Sequence, residues 1–224
     1  MADKSKRYWG IVTPTVPASI LTAQAKMAED AGLEGLFAPQ VYGPPFIPLA
    51  AAAAVTSRVR LASGIALAFV RSPFETAVAA MDLDRISGGR FTLGLGCSVR
   101  SWSEGFFGMP YGKPLAHMRE VVEIIRMVIA KAHTGELKRY DGVYHKHDFS
   151  ELQPPPAPVR TDLPVWIAAL RGPLVSLAAE IADGVMGHPL WSVSWATTKI
   201  PQALERGLKR GGKQRSDIEF QIGL

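Results

Sequence analysis

Short, uninterrupted apolar runs alternate with longer amphipathic runs along almost the whole chain, and that alternation restricts the fold more than any other feature. Strand patterns fall at 8–12, 36–39, 60–69, 91–96, 165–170, 184–186 and 218–224. Helical periodicity falls between them, at 18–31, 48–56, 73–86, 117–132, 174–182 and 201–210. The helix after Ser72 has the clearest start: Ser72 is placed to cap, Pro73 suits the first helical position, and Glu75 completes a capping box. It stops at Ser87-Gly88-Gly89, a sequence suited to a turn.

Strands separated by helices imply parallel pairing through right-handed crossovers. The run Val165-Trp166-Ile167-Ala168-Ala169-Leu170 is apolar on both faces, as a strand covered on both sides requires. Two architectures fit, an open doubly wound sheet and a (β/α)8 TIM-type barrel. The first strand leads into Thr13-Pro14-Thr15-Val16-Pro17 and not into a glycine-rich phosphate turn, which argues against a dinucleotide-binding sheet. For a barrel, about 250 residues are typical, and the 224 here end within the seventh strand. The expectation is a single α/β barrel domain over 1–224, C-terminally truncated, with seven strands, six helices and an insertion loop at 135–162. That insertion contains Gln153-Pro154-Pro155-Pro156-Ala157-Pro158, an extended stretch poor in backbone donors.

Composition narrows the function. Cys97 is the only cysteine, so no internal disulfide framework exists and a reducing, cytoplasmic setting is expected. No apolar run is long enough to span a bilayer, so no membrane partner is expected. The net charge of +5 is spread along the chain except around Lys209, Arg210, Lys213 and Arg215, which read as the solvated end of a helix. Aromatics do not interleave with basic residues, so no nucleic acid is expected. The segment His145-Lys146-His147-Asp148 has ligand-type residues but no second cluster, and reads as an exposed loop with no metal.

One block is specific enough to carry a resemblance. It runs from Leu61-Ala62-Ser63-Gly64-Ile65 through Arg71-Ser72-Pro73 to Leu83-Asp84-Arg85-Ile86-Ser87-Gly88-Gly89-Arg90-Phe91-Thr92-Leu93-Gly94-Leu95-Gly96. With Phe107-Gly108-Met109-Pro110, Ala169-Leu170-Arg171-Gly172-Pro173 and Ala178-Ala179-Glu180-Ile181-Ala182-Asp183-Gly184, it resembles the bacterial luciferase-like monooxygenase family. The branch most similar uses the deazaflavin coenzyme F420. The resemblance implies a barrel with F420, or alternatively FMN, over the C-terminal ends of its strands, and hydride transfer with a small organic substrate. It also implies a non-prolyl cis peptide, which by position falls at Gly64-Ile65.

The candidate cofactor-binding residues follow the strand ends: Gln40; Ser63, Gly64 and Ile65; Gly96, Cys97 and Ser98; Leu170, Arg171 and Gly172; and His188. Small residues at 94–98 let a flat ring approach the backbone. Amides at the helix start after Arg171 suit an anion. No catalytic acid or base is identified. Where the sugar-phosphate dehydrogenases of the family carry an aspartate–histidine pair and a glutamate, this chain has Gln40-Val41 and Val99, which disfavours alcohol oxidation by a general base. The unfinished barrel leaves open edges, so a homo-oligomer is expected, and a non-catalytic flavin-binding homologue is the second reading.

Overall fold

The computed structural model of the chain describes residues 7–222. Its elements in chain order are β1 (Trp9–Ile11), α1 (Ala18–Asp30), β2 (Gly35–Ala38), α2 (Phe46–Val55), β3 (Arg60–Ser63), β4 (Ala66–Leu67), α3 (Pro73–Ser87) and β5 (Phe91–Gly96). There follow α4 (Pro114–Lys131), β6 (Arg139–Asp141), β7 (Lys146–Asp148), β8 (Val165–Ala169), α5 (Gly172–Ile181), β9 (Gly184–Gly187), α6 (Val193–Gly211) and β10 (Glu219–Ile222).

The sheet runs β1-β2-β3-β5-β8-β9-β10, with β4 continuing β3 along β5, and every pair in it is parallel. The order follows the chain and never doubles back. That is the topology of a (β/α)8-type barrel, not of a doubly wound sheet. The sheet is strongly curled. Arg60 at the start of β3 reaches Glu219 at the start of β10 through two bonds of 2.9 and 3.0 Å, although β5, β8 and β9 lie between those strands. Trp9 of β1 and Trp166 of β8 meet inside the curl with ring centroids 5.5 Å apart, and Arg60 lies 5.4 Å from both rings. Phe37, Ala62 and Met186 complete this inner layer. The main apolar core lies outside it, between strands and helices, where α4 buries Met118, Val121, Val122, Ile124, Ile125, Val128 and Ile129.

The block at 83–96 is structural. Buried Asp84 accepts from the Phe91 amide and from Arg160, and Arg90 donates to the carbonyls of Ala53, Thr56, Val59 and Ser87. This ties α2, α3 and the proline-rich segment to the base of β5.

Four expectations are corrected. The strand expected at 60–69 is two short strands, interrupted at the cis Gly64–Ile65 peptide, where the Ser63 hydroxyl takes both backbone groups of Gly94. Ser72 does cap α3, accepting from the Phe74 amide at 3.2 Å, but Glu75 leans toward Arg71 at 3.8 Å and closes no box. The insertion contains the antiparallel hairpin β6–β7, so 145–148 is not a free loop. The basic run is solvated at Lys209, Arg210 and Arg215, which are exposed, but not at Lys213, which is half-buried and donates to the Ala182 carbonyl at 2.6 Å. Arg210 also pairs with Glu180 at 2.7 Å, and Arg215 donates to the Ile218 carbonyl at 2.7 Å. The last two residues of the strand expected at 218–224 lie outside the described residues. No helix among the described residues is long and apolar enough to cross a membrane.

Candidate active site

Parallel strands point their C-terminal ends the same way, so the loops that follow them share one end of the barrel. All the candidate residues sit there, in two groups. The first surrounds the break between β3 and β4. Ser63 ends β3, fully buried, and its hydroxyl donates to the Gly94 carbonyl at 2.8 Å and accepts from the Gly94 amide at 2.9 Å. Gly64 packs against the Phe37 ring, where an added Cβ would lie 2.8 Å from a ring carbon. The Ile65 side chain covers Gly96, where a Cβ would lie 2.0 Å from Ile65 Cδ1. Gly64, Ile65 and Gly96 thus form one closely packed wall, in which the Ile65 side chain lies over Gly96.

Gln40 stands beside that wall and braces it. Its backbone N–H donates to the Ile65 carbonyl at 3.1 Å, and its Oε1 accepts from the Leu67 amide and from Arg71 Nη2, both at 2.9 Å. Nε2 of Gln40 makes no hydrogen bond among the described residues. Arg71 was not among the sequence candidates. It is largely buried, its Nη1 has no partner among the described residues, and burial lowers its pKa from the ordinary arginine value.

Cys97 follows β5 and is buried, which pushes its thiol up to about 12 and keeps it protonated. Ser98 adopts φ 56° and Thr15, after β1, φ 63°. Two non-glycine residues in the left-handed region on the same rim store local strain of order 1–3 kcal/mol each, the kind that clusters at ligand sites. The Ser98 carbonyl accepts from the Tyr111 hydroxyl at 3.1 Å.

The second group lines a groove of about 640 Å³ between the β8–α5 connection and the start of α6. Leu170, Arg171 and Gly172 form one side, and Trp191, Trp195 and Lys199 the other. The Trp191 indole donates to the Leu170 carbonyl at 2.8 Å, and its ring covers Gly187 at the end of β9. The size suits a small-molecule ligand, and the Gly172 amide beside Arg171 suits its anionic part, whereas Pro173 has no N–H and the Leu174 and Val175 amides donate to the Arg171 carbonyl. His188 does not line this groove. It sits in the adjacent turn, where its Nδ1 accepts from the Leu190 amide at 3.1 Å. The tryptophans and the cations of α6 escaped sequence reading because helix 201–210 is observed to start much earlier, at Val193.

Comparison with known proteins places these features in a family. A family model described as luciferase-like monooxygenase matches residues 7–224. The Mycobacterium tuberculosis protein Rv3520c, which bears the name of a coenzyme F420-dependent oxidoreductase, is 34% identical over 96% of this chain and 62% of its own length. The 5,10-methylenetetrahydromethanopterin reductase of Archaeoglobus fulgidus is 31% identical over 87% of this chain and 56% of its own. This chain therefore spans less than two thirds of these relatives. Among solved structures, the coenzyme F420-dependent tetrahydromethanopterin reductase of Methanopyrus kandleri superposes with a TM-score of 0.82 at 24% identity, over 96% of this chain and 65% of that one. The FMN-bound oxygenating constituent of 3,6-diketocamphane monooxygenase from Pseudomonas putida gives 0.78 at 16% identity, over 96% and 66%. At these identities the structural matches speak for the fold.

Proposed function

This chain belongs to the luciferase-like monooxygenase family, and from that premise we propose that it is an oxidoreductase moving hydride between coenzyme F420 and a small organic substrate. The observation that carries the reading is the gathering, on one end of the barrel, of the closely packed residues Gly64, Ile65 and Gly96 and a cation-bearing groove at the start of α5. The similarity to Rv3520c supports F420 as the cofactor over FMN.

When bound, a deazaflavin supplies or accepts a hydride at its ring. The chain's own part is positioning. Gly64, Ile65 and Gly96 would back the ring, and the Gly172 amide with Arg171 would hold the phosphate. Gln40, its oxygen already engaged, offers Nε2 to a ring or substrate carbonyl. The Cys97 thiol, held protonated by burial, is no base. Neither Gln40 nor Val99 can take a proton from a hydroxyl, so the rim favours reduction of an activated double bond over oxidation of an alcohol.

The experiment is a pair of titrations, with F420 and with FMN, followed by the fluorescence of each. Saturable F420 binding at micromolar or lower Kd, with FMN much weaker, is the expected result. Preference for FMN would move the chain to the flavin monooxygenases. Binding without turnover of the reduced cofactor would favour the non-catalytic flavin-binding homologue, and failure to bind either would overturn both readings.

A further inference from the structure

We propose that Arg71 is a positioning residue for the bound cofactor: through Gln40 it fixes a hydrogen-bond donor beside the wall at Gly64, Ile65 and Gly96, a role that rests on the reading above. Arg71 precedes α3 and is a costly residue to bury there. Its side chain is 11% exposed, and its Nη1 is sealed with no partner among the described residues. The carboxylate that approaches it, Glu75, stays 3.8 Å away and is itself exposed, and the Phe46 ring faces the guanidinium at 5.6 Å. The one side-chain hydrogen bond that Arg71 makes among the described residues runs from Nη2 to Gln40 Oε1 at 2.9 Å. Arg90 shows what a structural arginine of this fold looks like. It donates to the carbonyls of Ser87, Val59, Ala53 and Thr56 and to the Thr56 hydroxyl. A buried cation held by one neutral acceptor is destabilising, so bracing the fold does not account for Arg71.

Its effect on Gln40 does. Gln40 Oε1 receives two donors, Arg71 Nη2 and the Leu67 amide, which fixes the oxygen end of the side-chain amide. A flipped amide would set N–H against N–H at both contacts. Nε2 is thereby turned away from them. It makes no hydrogen bond among the described residues, yet unlike Arg71 Nη1 it is not sealed, so it reaches accessible space. Held by Leu67 alone, the amide could swing about a single bond. The guanidinium supplies the second point and, by drawing charge toward Oε1, makes Nε2–H the stronger donor. The backbone N–H of Gln40, on the Ile65 carbonyl, keeps this donor next to the wall. Such a donor meets an acceptor oxygen, and on the cofactor that is a carbonyl of the ring.

The test titrates F420 into the parent, Arg71→Met, Arg71→Lys and Gln40→Glu. It follows cofactor fluorescence and the absorption band of the bound ring, which responds to hydrogen bonding at the ring oxygens. The methionine keeps an apolar stem against Phe46 and leaves no buried charge. The lysine can still donate to Oε1. The glutamate keeps the oxygen that Leu67 and Arg71 hold and replaces the donor by a second acceptor. Arg71→Met should weaken Kd about five- to tenfold, the equivalent of one hydrogen bond, and shift the band. Arg71→Lys should recover both to within about twofold, and Gln40→Glu should lose at least as much affinity at a Tm no lower than the parent's. Parent-like affinity and band in Arg71→Met, or in Gln40→Glu, overturn the proposal and leave the cofactor reading standing. Should Arg71→Met fail to fold, Gln40→Glu decides alone. If the parent prefers FMN, the same variants are read with FMN, whose ring carries the same carbonyls. If it binds neither, the cofactor reading fails and the NMR resonance of the Gln40 side-chain amide, identified by its absence in Gln40→Glu, decides. A shift of that resonance in Arg71→Met that Arg71→Lys reverses supports the positioning role, and an unmoved resonance overturns it.

Discussion

The Ser63 hydroxyl occupies both backbone groups of Gly94, donating to its carbonyl at 2.8 Å and accepting from its amide at 2.9 Å. The ladder between β3 and β5 stops at Ala62–Thr92 and resumes between β4 and β5 at Ala66–Leu95. Gly94 falls in the gap, and one side chain replaces the missing strand there. Ser63→Ala leaves a buried N–H and a buried C=O unpaired on the β3 side, at about 1–3 kcal/mol for each unsatisfied group. Urea unfolding should therefore show a clearly lower midpoint. A midpoint within error of the parent would mean the break is held by packing alone.

Gly94 itself has no room for a side chain. A Cβ there would lie 2.0 Å from the Ser63 carbonyl oxygen and 2.9 Å from the Met186 sulfur. The first neighbour is backbone and cannot rotate away, so Gly94→Ala should cost about 3 kcal/mol or more. Gly43, on the neighbouring β2–α2 loop, meets nothing within 4 Å. Gly43→Ala should stay within about 0.5 kcal/mol, and the contrast between the two in thermal unfolding is the check.

Asp84 is 1% exposed and takes two bonds from Arg160, at 2.9 and 3.0 Å, while Arg160 also donates to the Phe91 carbonyl at 2.7 Å. Removing the carboxylate strands a half-buried guanidinium against α3 and β5. Asp84→Ala should destabilise by roughly 3 kcal/mol, whereas Asp84→Ala/Arg160→Met should recover part of that, because no unpaired charge remains. A double variant no more stable than the single one would show that the carboxylate acts through the Phe91 amide instead.

Much of this was legible from residue order alone. Uninterrupted apolar runs and the 3.6 period between them located the strands of the curled sheet, with β3 and β4 read as one, because each apolar run is covered by helices that announce themselves through their own spacing. What sequence missed depends on contacts distant in the chain. The hairpin β6–β7 is short and half-exposed, with almost no alternating apolar signal. The early start of α6 was masked by Pro201, which reads as a helix beginning but sits inside one that Ser192 caps, accepting from the Trp195 amide. Arg71 and the tryptophans of the groove acquire meaning only through Gln40 and Leu170, partners 31 and 21 residues away.

Cys97 is the one thiol of the chain and is 7% exposed. Burial raises its pKa to about 12, so little thiolate exists at pH 8. A disulfide reagent such as DTNB should leave the native protein unlabelled over an hour and label one thiol per chain in 6 M guanidinium. Rapid native labelling would show that the end of β5 opens to solvent.

His117 Nδ1 lies 3.0 Å from the Tyr111 carbonyl, which can only accept, so Nδ1 carries the proton. His117 Nε2 is then a lone pair, and it must accept from His145 Nε2–H, 3.0 Å away. The pair is stacked among Phe69, Tyr144 and His147, with Glu120 gripping the amides of Val143, Tyr144 and His145. Burial lowers the pKa of both rings, His145 to about 4, with the neighbouring His117 adding to the shift and Glu120 opposing it. The unfolded chain, with histidines near 6.5, binds more protons than the folded one between those values, so stability falls as pH drops from about 6.5 to 4. A second loss belongs to Glu29. Burial would raise its pKa, but the amides of Val59, Arg58 and Ser57 hold it down to about 2, so its contribution is lost only below about 4.5. Tm measured from pH 8 to 3 should therefore decline in two stages. His117→Phe keeps an aromatic ring between Phe69 and Tyr144 but removes the titrating nitrogen. It should lower Tm at pH 7.5, by leaving the Tyr111 carbonyl and the His145 N–H unpaired, and flatten the stage between pH 6.5 and 4 while leaving the lower stage in place. An unchanged slope between pH 6.5 and 4 in that variant would place the acid sensitivity elsewhere in the fold.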